Sequence, residues 1–131
     1  MVELQRAAYA VEAELIGFDG IPPLHDSAAD VRGFDLVWLG AFEGETLVGG
    51  LGYVDNPGLR DIDRLFVDPS EARRGIGRAL VTAALGAGQV QVSTGTGNGP
   101  ARHLYESLGF EETGVRPIAP GVTVTRFVYK G

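Results

Sequence analysis

Three arginines and two glycines crowd into residues 73–78 of this chain, within EARRGIGRAL (71–80), where an extended stretch gives way to a helical one. A strand that feeds a helix through such a turn leaves the first N–H groups of the helix without main-chain partners. Those groups point outward and make the turn a cradle for an anion. Glycine matters because any Cβ would hold a diphosphate away from the amides, and arginine adds forked donors that match phosphate oxygens. The helix end contributes about 0.3–1 kcal/mol toward a surface charge and up to about 2 kcal/mol toward a partly buried one. Several amides with cations beside them can therefore hold a diphosphate. Taken alone, the stretch also reads as a plain glycine-rich turn with solvated arginines.

Asp61 and Asp63 lie on RDIDRLFV (60–67), the stretch leading into that turn, and a strand's period of two puts both on one face with Leu65 and Val67. Carboxylates there can draw in a cation and relay its proton. Asp61 could instead pair with Arg60 or Arg116, and Asp63 could merely solvate an edge. A second glycine loop, STGTGNGPA (93–101), also stands between a strand and a helix. It fits a dinucleotide site poorly, because Pro100 holds the third glycine position and there is no room for the βαβ unit and its acidic partner. His103 sits two residues before Tyr105 on the same helix, so the two face different directions. It reads as a surface histidine, His25 as a loop histidine and Trp38 as core. No nucleophile elbow occurs and no His/Asp/Glu spacing suggests a metal, so none is expected.

The composition bounds the rest. With 131 residues and 44% apolar content, a single domain with a single core over 1–131 is expected. The chain has no cysteine, which removes thiolate chemistry and fits a reducing compartment. No apolar run approaches the ~20 residues of a membrane span, and the first residues lack a signal-peptide pattern, so a soluble cytoplasmic protein with no membrane partner is expected. A net charge of −6 argues against nucleic acid as a partner. The charge is unevenly spread: residues 1–63 hold twelve acidic and three basic side chains, and residues 64–131 hold five and eight. An acidic first half favours a cationic acceptor near it, unless these charges only solvate the surface.

The elements that must position these groups follow from periodicity. Leu4, Ala8, Val11 and Leu15 recur at helical spacing, which predicts a helix over 3–16. Ser27 with Asp30 matches a capping box, predicting a turn or two of helix that ends near Gly33. LVWLGAF (36–42) and TLVGGLGYV (46–54) predict a hairpin, and 60–67 a third strand. Residues 75–86 suit a helix with Ile76, Leu80, Ala83 and Ala84 inward, followed by a strand at 89–93. Pro100 and Gly109 bracket a helix over 99–108. VTVTRFVY (122–129) alternates as a final strand, in a C-terminal region with room for one strand or two. The order gives an α/β fold, a mixed sheet layered with helices.

Taken together, LFVDPSEARRGIGRALVTAAL (65–85) and NGPARHLYESLGF (98–110) resemble the acyl-CoA loop and the following helix of the GCN5-related N-acetyltransferase family. The second stretch matches that family's Asn-x-x-Ala-x-x-x-Tyr-x-x-x-Gly-Phe through Asn98, Ala101, Tyr105, Gly109 and Phe110. The resemblance covers residues 36–130 well and 1–35 loosely. It implies a mostly antiparallel sheet flanked by helices, without the family's first strand, since only Met1 and Val2 precede the first helix. Strand 36–42 would then be a sheet edge open to a homodimer partner.

The resemblance also implies acetyl-CoA as acyl donor and transfer of an acetyl or similar short acyl group to a primary amine of a small molecule or peptide. The backbone of Leu65, Phe66 and Val67 would pair with pantetheine, and the pyrophosphate would lie on Arg73, Arg74, Gly75, Ile76, Gly77 and Arg78, with Asn98 and Ala101 also on the cofactor side. Ala72 stands where the family has Gln or Arg, so Arg73 or Arg74 would substitute. Tyr105 would protonate the departing thiolate, a main-chain N–H near Val67 would meet the oxyanion, and Asp61 or Asp63 would serve the amine. Two other classes remain: a non-catalytic acyl-CoA-binding sensor or partner module, and a nucleotide-binding domain using 94–99.

Overall fold

The structure, a computed structural model, describes residues 2–16, 36–71, 75–86 and 88–131. The capping box at Ser27, together with His25, Arg73 and Arg74, lies outside the described residues. The chain opens on helix α1 (Val2–Ile16). Strands β1 (Val37–Glu43), β2 (Thr46–Asn56) and β3 (Leu59–Val67) then run as a meander, followed by helix α2 (Ile76–Ala84), strand β4 (Gln89–Gly95), helix α3 (Gly99–Ser107) and strands β5 (Glu111–Ala119) and β6 (Val122–Tyr129). The described strands form one sheet in the order β1-β2-β3-β4-β6-β5, antiparallel except for the β3–β4 pair. The C-terminal region thus forms two strands, and among the described strands β1 is an edge.

One face of the sheet carries the main core. Leu51, Ile62, Val90, Val92 and Phe127 pack there against Leu80, Val81 and Ala84 of α2 and Tyr105 of α3. Val81 turns inward in place of Ala83, which is exposed. The ring of Tyr105 lies 5.4 Å from that of Phe110 and 5.8 Å from that of Phe127. On the other face, Phe66 is 2% exposed and meets Trp38 edge-on at 6.5 Å.

α1 buries its predicted apolar stripe in part, with Leu4 and Ala8 half-buried. Val11 is exposed, whereas Gln5 and Ala13 are buried and Tyr9 is partly so. A polar contact lies on the buried side: the Gln5 side-chain oxygen accepts a hydrogen bond from the buried Arg64 guanidinium at 3.3 Å.

Arg60 fastens the far end of β3. Its guanidinium binds the Asp55 carboxylate at 2.8 and 3.0 Å, donates to the Ala84 carbonyl at the end of α2 at 3.0 Å, and lies 4.0 Å over the Tyr53 ring. The hydrogen bond from Arg60 holds Asp55 below the usual carboxylate range. Asp61 is therefore left without the Arg60 pairing that the sequence permitted.

The glycines of β2 serve close packing. A Cβ on Gly50 would stand 2.5 Å from Cζ of the buried Phe66 ring. Gly50→Ala is expected to destabilise the fold by about 1–3 kcal/mol through overpacking, read as a lower urea midpoint at unchanged slope. An unchanged midpoint would mean that the Phe66 ring swings aside without loss.

Candidate active site

β3 and β4 pair only from Leu59 to Ile62 and from Gln89 to Val92, although β3 continues to Val67 and β4 to Gly95. Beyond Ile62 the two strands part and leave a slot between them. A β-bulge marks the point of parting: Ile62 opposes Tyr53 and Arg64 opposes Gly52, so Asp63 is an extra residue in β3. The bulge also overturns the simple alternation. Asp61 opposes Val54 while Leu65 opposes Leu51, three positions away, so Asp61 lies on the face opposite to Leu65 and Val67.

The slot exposes main-chain groups of β3. The Leu65 N–H points away from β2 and donates to the Tyr9 hydroxyl of α1 at 2.8 Å. By the alternation of an antiparallel ladder, Val67 turns its groups to the same side, while those of Phe66 turn toward β2. Tyr9 is a contact that sequence reasoning missed. Its position at i+4 from Gln5, on the face away from the apolar stripe, was the available signal.

At the end of the slot, α2 starts without a cap. Its N-cap residue, Gly75, sits at φ 78°, a left-handed conformation that favours glycine, and supplies no side-chain cap. Among the described residues, nothing lies within 4 Å of where a Gly75 Cβ would be. The first turn, Ile76 to Arg78, thus fits an anion. The Arg78 side chain is occupied elsewhere, donating to the Ser107 hydroxyl of α3 at 2.7 Å. Asn98 serves as the N-cap of α3, its side-chain oxygen accepting from Ala101 N–H at 3.2 Å. Tyr105 is 3% exposed, set among aromatic rings on the α2 side of the sheet. His103 is exposed.

On the opposite face a cleft of about 490 Å³ opens over the sheet. It is lined by Asp61, Asp63, Gln91, Ser93 and Val124, with Arg116 and Arg126 across from the carboxylates. The two aspartates differ in setting. Asp63 is exposed and accepts a hydrogen bond from Arg64 Nε at 2.8 Å, inside an ion pair. Asp61 is partly buried and bonded to Gln91. Burial first, then the neighbouring Asp63 charge, push it above the usual carboxylate range, while the Gln91 hydrogen bond pulls it back. The sequence could not separate these two residues; the bulge and Arg64 do.

A mixed sheet parted in this way beside an uncapped helix start is an acyl-CoA N-acyltransferase fold. The chain belongs to the acetyltransferase (GNAT) family, whose sequence model matches residues 3–110. It is 34% identical over 131 residues to UPF0157 protein YqkA of Bacillus subtilis (strain 168), covering 97% of this chain but only 38% of that protein. Among solved structures, it resembles the ribosomal-protein-S18-alanine N-acetyltransferase of Escherichia coli at TM-score 0.77 and 19% identity, covering 98% of this chain and 84% of that one. It also resembles the PaiA N-acetyltransferase of Thermoplasma acidophilum in complex with coenzyme A, at TM-score 0.70 and 18% identity over 98% and 90% of the two chains.

The setting of Asp61 has a measurable consequence. A carboxyl that holds its proton more tightly when folded than when unfolded favours the native state in acid. That advantage is lost as pH rises through the unfolded and then the folded pKa. Asp61→Asn is therefore expected to be more stable than the parent at neutral pH, with the gap closing below the ordinary carboxylate range. Urea midpoints across that interval check this, and a variant destabilised equally at every pH would contradict it.

Proposed function

We propose that residues 1–131 form one N-acetyltransferase domain that moves an acetyl or similar short acyl group from acetyl-CoA to a primary amine of a small molecule or peptide. The observation that carries this reading is the slot between β3 and β4, with an uncapped helix start at one end and a carboxylate-lined cleft beside its point of parting. Acetyl-CoA supplies the activated thioester. Its diphosphate would rest on Gly75, Ile76, Gly77 and Arg78, with Arg73 and Arg74 adding charge. The pantetheine arm would run along Leu65 and Val67 and take over the amide that Tyr9 holds. Asn98 and Ala101 would border it from the start of α3.

An amine of ordinary pKa near ~10.4 is neutral in about one molecule in a few thousand at neutral pH, a handicap of roughly 4–5 kcal/mol. Asp61 is the better placed of the two carboxylates to take that proton, directly or through water, because Asp63 is held by Arg64. Asp63 attracts the ammonium form into the cleft. A main-chain N–H near Val67 would meet the developing oxyanion, and preorganised donors of this kind are worth several kcal/mol. Tyr105 would return a proton to the thiolate. A cytoplasmic setting, and pairing into homodimers at the β1 edge, where Val37 and Phe42 are exposed, belong to the same proposal.

The burial of Tyr105 among Phe110 and Phe127 favours a second reading, in which the domain binds acyl-CoA as a sensor or partner module without turnover. Thiol release from acetyl-CoA against a panel of primary amines separates the two. The expected result is amine-dependent release that falls about a hundredfold or more in kcat in Asp61→Asn and in Tyr105→Phe. Equal release by Tyr105→Phe would remove its acid role. Tight coenzyme A binding without release for any amine would favour the second reading.

A further inference from the structure

The cleft is charged on both sides. Asp61 and Asp63 stand on β3, and Arg126 and Arg116 stand on β6 and β5, with Gln91 and Ser93 between them as a polar floor. The sheet order and register put these side chains on one face: Asp61 opposes Gln91, Ser93 opposes Arg126, and Arg126 opposes Gly114. Arg116 and Arg126 are exposed. Arg126 lines the cleft and is steadied by its Nε bond to the Thr113 hydroxyl at 3.1 Å, a bond that does not use its terminal nitrogens. The Arg116 side chain makes no hydrogen bond or ion pair among the described residues. No acid on β4, β5 or β6 lines the cleft, so its basic wall is not neutralised from within.

Extending the proposed function, on which this rests, we propose that the acceptor is a small primary amine carrying a remote anionic group, a phosphate or a carboxylate. The carboxylate wall takes the ammonium end, and Arg116 and Arg126 take the anion through forked hydrogen bonds. Spacing sets the class further. β3 and β6 are two strand spacings apart and β3 and β5 three, so the main chains of the two walls stand roughly 10–14 Å apart. Long arginines narrow that span without closing it. An α-amino acid, whose two charges hang from one carbon, is too short to touch both walls. An amine separated from its anion by several bonds reaches both. The acidic first half of the chain alone suggested a cationic acceptor; the opposing arginines change that to a molecule with charge at both ends.

The test is a titration of the whole chain, saturated with coenzyme A, by three probe series: alkylamines, ω-amino carboxylates and ω-aminoalkyl phosphates of increasing length. The expected result is affinity rising with length in one or both anionic series, to at least about tenfold over the alkylamine of the same length. Arg116→Ala and Arg126→Ala should each erase most of that gain while leaving alkylamine affinity unchanged. The series that gains more identifies the anion. Equal affinity across the three series, or a gain that both arginine variants retain, would overturn the inference. Binding is read apart from turnover, so the two readings fail separately. Selective binding without thiol release supports this inference and counts against catalysis. Thiol release with no preference for anionic amines supports catalysis and overturns this inference.

Discussion

Everything in the candidate site depends on where the parallel pairing of β3 and β4 stops. Two neighbouring strands ordinarily satisfy each other's N–H and C=O groups along their whole length, and a buried edge left unpaired costs about as much as the lost hydrogen bonds. Here the ladder ends at Ile62 and Val92, and a bulge at Asp63 turns β3 away. The main chain of Leu65 is then left for another partner, a hydroxyl of α1. The fold accepts an incomplete sheet at its centre, which a pure packing argument would disfavour, and a sheet opened there is a place for an extended ligand with its own amide groups.

The other parts hold that opening in place. α2, packed through Leu80, Val81 and Ala84, aims its uncapped start along the slot. Arg64, buried beneath α1, fixes Asp63 and is itself held by Gln5. Core and site are therefore not separate layers, since residues that bury surface also set the direction of each polar group facing the gap.

Much of this was legible in the sequence, for reasons that can be assigned. Elements with clean periodicity, such as 60–67 and 122–129, and those bracketed by Pro100 and Gly109, came out close to their observed bounds because local geometry decides them. The glycine-rich turn gave away the uncapped helix because Gly75 answers a backbone need. What failed was what depended on long-range pairing. The burial of Gln5 on α1 was missed because Gln5 looks polar and exposed until Arg64 is seen beneath it. The shared face of Asp61, Leu65 and Val67 was misjudged because a bulge is a property of two strands together, and neither strand carries it alone. The arginine wall of the cleft was missed for the same reason: Arg116 and Arg126 meet the aspartates only across the order β3-β4-β6-β5.

The contacts of Arg60 bear on how the paired end is held. That single side chain ties β2, the end of α2 and the Tyr53 ring together at the paired end of β3. One planar cation thus joins a strand, its neighbour and the end of a helix, so that a displacement of any one of the three is felt by the other two.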